Sequence, residues 1–292
     1  MTTTDFAVRR HGAVTTGAPR SRGPRNTKHM RITLPLIAYG IFTLIPFYWL
    51  FLYAFKEPKS TGWFPWPLTF ENFVFAWNDI GFNFFFWNSM IVGVLTTVFT
   101  LLVAMPCGYA LARLRFRGKQ AFMLVLLCTQ FVPGALMLIP LYQTFNVLGM
   151  INSLTSLVIA DTVFHLPLVA LFMTSFIGNV PYALEEAAQI DGCSRVQAFR
   201  RVVLPQLGPA TVAVGAFAFL GSWNNFLFAL MFIQQQNKFT IPVGLSFTIG
   251  EFGVDFGVLA AGGVIAAIPV IIIFAYMQKF LVGGLNSGAI KG

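Results

Sequence analysis

The chain has 292 residues, of which 57% are hydrophobic and only 10% charged, with 33 Phe, a formal net charge of +9 and a mean hydropathy of +0.73. A soluble domain carries about 25% charged residues to cover its water-facing surface, so these numbers exclude a soluble fold and leave a lipid-embedded one. The positive balance does not point to nucleic acid, because Lys and Arg flank long apolar runs instead of gathering in a polar domain.

Residues 1–31, rich in Thr, Arg, Gly and Pro, cannot bury a core and read as a disordered basic tail. The first apolar run, Ile32–Phe55, is too long for a cleavable signal sequence and predicts an uncleaved first span. A second span falls at Phe84–Leu111. The uncharged stretch from Gln120 to Ala160 is too long for one crossing, and its Asn146–Ser153 turn divides it. That places a third span at Ala121–Phe145 and a fourth at Leu154–Ile177. A fifth lies within Pro209–Ile233 and a sixth within Phe256–Gln278. Sixteen of the 19 Lys and Arg fall on one side of this arrangement, leaving Lys56, Lys59 and Lys238 on the other. The positive-inside rule then puts both termini in the cytoplasm.

The outer loop after the first span holds Trp63, Trp66, Trp77 and Trp87, which suit the headgroup zone. Gly253-x-x-x-Gly257 and the small run Ala260–Gly263 predict close helix packing around the sixth span. Cys107, Cys128 and Cys193 have neither metal-ligand nor pairing spacing and read as core residues.

Between the fourth and fifth spans lies a polar segment, residues 179–208. Pro181 suits the first turn of a helix, Glu185 and Glu186 lie near its positive end, and Gly192 suits a left-handed cap. A second helix, Ser194–Val203, starts on an N-cap serine and ends on Arg200 and Arg201, with Pro205 beyond. The pattern predicts a helix–Gly–helix hairpin on the cytoplasmic face, which by itself could be no more than a solvated connector.

Glu186-Ala187-Ala188, three residues, Gly192, nine residues, then Val202-x-Leu204-Pro205 resembles the EAA loop of permeases in binding-protein-dependent ABC importers. The departure is Val202 where Ile is usual, one methylene fewer. Trp223-Asn224-Asn225-Phe226 and the ending Gly284-Leu285-Asn286-Ser287-Gly288-Ala289-Ile290-Lys291-Gly292 are similar to segments of maltose-type sugar permeases. The resemblance covers about Ile32 to Gly292 and implies an all-α membrane protein of the type I ABC importer permease fold. Its domains would be the tail 1–31, a six-span body 32–282 with the coupling loop 179–208, and a cytoplasmic tail 283–292.

That family's coupling helix sits in a cleft of a separate ATPase, and the resemblance gives Glu185, Glu186, Ala187, Ala188, Asp191, Gly192, Leu204 and Pro205 that role. It further implies a second permease subunit, a cytoplasmic ATPase dimer, an extracytoplasmic solute-binding protein and a bacterial inner-membrane location. ATP and Mg would belong to the ATPase, and this chain would hold no cofactor. Consistently, the sequence carries no phosphate-binding loop: Gly118-Lys119-Gln120 lacks both the earlier glycine and the hydroxyl. Nor does it carry a catalytic or metal-ligating arrangement, so no catalytic or metal residue is assigned.

Asp161 and His165 stand four apart on one face of the fourth span. A carboxylate at mid-membrane costs about 2.5–3.5 kcal/mol on insertion scales, so it faces a bundle interior or an aqueous path. Two readings stay open, a substrate-path pair or an interhelical hydrogen bond. Trp223, Asn224 and Asn225 carry the same alternatives, since amides suit sugar hydroxyls and an aromatic ring suits a pyranose face. A secondary transporter or channel is the competing function, expected to show internal repeats or broken helices. An intramembrane enzyme is disfavoured by the missing catalytic set.

Overall fold

The computed structural model describes residues 25–57, 64, 66–250 and 253–288. Two units divide the chain, Met1–Tyr48 and Trp49–Gly292. The first helix, α1 (Arg25–Phe55), begins before Ile32, so residues 25–31 belong to a helix and not to a disordered tail. No Gly or Pro interrupts that approach, and Arg and Lys are good helix formers. Residues 1–24 of the expected tail lie outside the described residues. In the first unit the apolar side chains of α1, Leu34, Phe42 and Phe47 among them, are exposed, a surface suited to lipid.

In the second unit, α2 (Glu71–Asn78) is a short helix between spans. The buried amide of its Asn72 donates to the carbonyls of Tyr53, Ala54 and Lys56 at 3.3, 3.1 and 3.0 Å, satisfying the open end of α1. Of the four tryptophans, Trp66 and Trp87 are exposed, as interfacial anchors would be. Trp77 packs instead on Phe86 in the core, and Trp63 lies outside the described residues.

The body is built on α3 (Phe82–Arg113) and α6 (Leu154–Gly178), which pack along most of their lengths. The buried side of α3 is a stripe of small residues, including Ser89, Gly93, Thr96, Thr100, Ala104 and Gly108, at helical spacing. A Cβ on Gly108 would stand 2.8 Å from Met173 Cβ and 3.0 Å from the α6 backbone, so only hydrogen fits there. Without a hydrophobic driving force between helices in lipid, such close approach supplies the contact energy. α6 starts on Ser153, whose hydroxyl accepts from the Thr155 N–H at 3.3 Å.

The third span is broken. α4 (Lys119–Thr129) ends before Pro133 and Gly134, and after a 3-10 turn the chain resumes as α5 (Leu138–Val147), turned by 90°. Proline removes a helical N–H and pushes its predecessor towards extended backbone. The polar segment forms α7 (Tyr182–Ile190), α8 (Arg195–Ala198), a π-helical turn at Phe199–Val203, and α9 (Leu204–Gln206). The stretch expected as the fifth span is also interrupted: α10 (Gly208–Trp223) stops at Asn224, and α11 (Leu227–Phe232) follows. After α12 (Ile241–Phe247), two short antiparallel strands, Ile249–Gly250 and Gly253–Val254, precede α13 (Phe256–Gly288). The expected C-terminal tail is therefore helical from 283 to Gly288, and residues 289–292 lie outside the described ones.

Among the described residues four helices are long and apolar enough to cross a membrane, or up to six if each of two bent pairs, Lys119–Thr129 with Gly134–Val147 and Arg195–Gln206 with Gly208–Trp223, counts as one. The small-residue packing expected in the last span is present. A Cβ on Gly257 would stand 2.8 Å from the Asn72 side chain, and one on Gly262 would stand 2.8 Å from Leu245.

Candidate functional site

The hairpin follows from its local chemistry. Pro181 precedes α7 as its cap, and α7 ends before Gly192, which adopts φ 90°, open to glycine at no steric cost. Ser194 and Gln197 form a reciprocal capping box: the Gln197 side chain accepts from the Ser194 N–H at 2.8 Å, and Ser194 Oγ accepts from the Gln197 N–H at 3.3 Å. Pro205 lies within the helical run, not beyond it; the wider π turn immediately before it accommodates the residue that has no N–H to give.

The coupling candidates divide by exposure. Glu186, Ala187, Asp191, Gly192 and Pro205 are exposed, Ala188 and Leu204 half-buried, and Ile190 at the tip is 85% exposed. Glu185 differs, being fully buried. Its Oε1 accepts from Arg113 Nε at 2.6 Å and its Oε2 from the Tyr109 hydroxyl at 2.9 Å. Arg113 Nη2 also donates to the Val180 carbonyl at 2.6 Å, and the guanidinium lies over the Tyr182 ring. Glu185 thus turns away from any surface a partner could reach and joins the hairpin to the end of α3. Tyr109 also packs on Phe199 in the second arm, 4.7 Å between ring centres. Val203 and Leu207 bury that arm in a core with Ala104, Met173 and Ile177.

Sequence reading counted Arg113 only as a topogenic charge and missed Tyr109. The available signal was their spacing of four on one helix face, beside a loop carrying a spare glutamate.

The intramembrane candidates come together around α6. Asp161 accepts from Ser222 Oγ at 2.6 Å and from the Asn225 amide, so both its oxygens are engaged. The Asn225 side-chain oxygen in turn accepts from the Phe228 N–H at 3.2 Å, satisfying a donor in the first turn of α11. His165 lies against Gly221, where a Cβ would overlap the imidazole, and edge-on to Phe217. Trp223 is buried, stacked on Phe219 and edge-on to Phe86. It is a core residue and offers no face to a sugar ring. Of the five path candidates only Asn224 is exposed, its amide donating to the Leu220 carbonyl at 2.8 Å. The break of the third span approaches the same level of α6. A cavity of about 410 Å³ there is lined by Thr129, Gln130, Met137, Val163, Phe164 and Pro167, among others.

The family model for the inner membrane component of binding-protein-dependent transport systems matches residues 104–286, from the end of α3 through the hairpin to α13. The chain belongs to that family. It is a multi-pass inner-membrane permease component of an ABC import system. It is 37% identical over 266 residues to the diacetylchitobiose uptake system permease protein DasC of Streptomyces coelicolor, covering 89% of this chain and 96% of the relative. To the trehalose/maltose transport system permease protein MalG of Thermococcus litoralis it is 30% identical, covering 91% and 98%. The fold matches a chain of a bacterial ABC transporter involved in the import of the acidic polysaccharide alginate, with a TM-score of 0.74 at 22% identity, over 89% of this chain and 98% of that one. A structure of a bacterial alginate ABC transporter in complex with its alginate pentasaccharide-bound periplasmic protein matches with a TM-score of 0.65 at 16% identity, over 86% and 94%.

Proposed function

We propose that this chain is one of two different permease subunits of an ATP-driven importer for sugars of disaccharide or oligosaccharide size. It has six spans with both termini in the cytoplasm, an orientation supported by sixteen of 19 Lys and Arg falling on one side. The observation that carries the reading is the hairpin, with an exposed tip at Ile190 and Gly192 and a base anchored in the core through Val203 and Leu207. An ATPase dimer receives Glu186, Ala187, Ala188, Asp191 and Gly192, and Val203 and Leu207 fix the second arm, which carries Leu204 and Pro205, against the spans. ATP and Mg stay on the ATPase; this chain holds no cofactor and performs no chemistry. An extracytoplasmic solute-binding protein delivers the sugar.

The named relatives that carry sugars support the substrate class. Within the path, Asn224 is the residue whose exposed amide suits a sugar hydroxyl, while Asp161, Ser222 and Asn225 hold the break that presents it. Broken spans also belong to secondary transporters, but family membership weighs against that reading here.

The Gly192→Asp variant tests the proposal, because an L-residue at φ 90° is strained and a carboxylate is added at the tip. Membrane insertion should persist and ATP-driven uptake should be lost. Uptake at the wild-type rate would count against the hairpin as the coupling element.

A further inference from the structure

We infer that Tyr109, Arg113 and Glu185 form a positioning latch that makes the hairpin and α3 move as one body. The inference rests on the coupling role proposed above and names the residues that carry motion from the hairpin into the membrane. All three act by positioning, through contacts within the chain.

Three observations support it. Glu185 is the one hairpin acid withdrawn completely from solvent, and Arg113–Glu185 is the single ion pair found among the described residues. The contact is over-determined: Arg113 holds the Glu185 carboxylate, the Val180 carbonyl at the entry to the hairpin and the Tyr182 ring. Tyr109, one turn earlier, holds the other carboxylate oxygen and the Phe199 ring in the second arm. Both arms and the entry turn are therefore fixed to one turn of α3. A connector that merely needed burial could use apolar residues, since a buried ion pair contributes little net stability over a well-packed apolar substitute. Apolar contacts slide at small cost, whereas a carboxylate clamped at both oxygens does not. Because α3 packs along α6, which carries the break-holding Asp161, a push on the hairpin reaches the path through α3.

The experiment uses the complete transporter, with its second permease and ATPase, in lipid nanodiscs. Cys107, Cys128 and Cys193 are replaced by serine, and spin labels are placed at Leu102 of α3 and Val196 of α8, both exposed and outside the latch. The distance between them is read without nucleotide and with MgATP and vanadate. The wild type should give one narrow distance in both states. Glu185→Ala, and the double variant R113M/E185M that folds without leaving a buried charge, should give a broadened distance that shifts with nucleotide while the ATPase still co-purifies. Tyr109→Phe, which keeps the ion pair and the Phe199 packing, should broaden it less.

A distance that stays narrow and unshifted in R113M/E185M overturns the latch. Loss of ATPase co-purification with an unchanged distance also overturns it, by making Glu185 a partner contact. Failure of the coupling reading looks different: Gly192→Asp would then transport normally, whatever the latch variants do.

Discussion

The hairpin at residues 179–208 and the break at Asn224–Phe226 both interrupt helix, and both must satisfy the backbone groups that interruption frees. They do so by opposite means. The hairpin meets water, so short-range devices suffice: Pro181 and Ser194 start its helices, Gly192 turns it, and Gln197 closes a capping box. The break lies within the fifth span, where every freed donor needs a protein partner. Its solution is long-range. Asp161 reaches from α6 to Ser222 and Asn225, and Asn225 accepts from an N–H in the first turn of α11. The lesson is that a buried carboxylate has two different uses in this molecule. At Glu185 it joins the hairpin to α3; at Asp161 it holds one irregular segment in place.

Variants can break or sharpen that contrast. The largest effect is expected at Glu185→Ala, which leaves Arg113 unpaired at a site only 10% exposed. Removing one partner of a buried pair costs about 3–5 kcal/mol, read as a lower unfolding temperature of the purified complex and as loss of uptake. Asp161→Ala should follow, at about 1–3 kcal/mol for leaving the buried Ser222 hydroxyl without its acceptor. Its distinguishing sign is increased cysteine accessibility around Asn224 with ATPase association unchanged. Gly108→Ala, which forces a methyl group into the α3–α6 contact beside Met173, should cost about 1–3 kcal/mol by overpacking and lower thermal stability without altering ATPase binding. The smallest effect is expected at Ser194→Ala, where a lost cap costs about 1 kcal/mol, seen as faster backbone hydrogen exchange in α8. An Asp161→Ala effect confined to coupling, with no local change at the break, would erase the distinction drawn between the two acids.

The local devices were legible in the sequence because each is a residue type at a fixed offset. The turn at Asn146–Ser153, the cap at Gly192 and the N-cap at Ser194 appear where the residues put them. Hydropathy located the apolar runs for the same reason. It could not register the breaks. Val132-Pro133-Gly134 and Trp223-Asn224-Asn225 sit inside uncharged stretches, and hydropathy does not respond to backbone direction. The roles of Glu185 and Trp223 were hidden by a related limit. Spacing places a residue on a helix face but does not say which face a distant helix covers. Only the packing of α3 against the hairpin turns Glu185 inward, and only Phe86 and Phe219 make Trp223 a core residue.

The most direct test of the coupling reading is site-specific photo-cross-linking from Ile190, the 85% exposed residue at the hairpin tip, in the assembled transporter. The account predicts an adduct with the ATPase subunit whose yield changes when MgATP is added. An adduct formed only with lipid or with the solute-binding protein would contradict it.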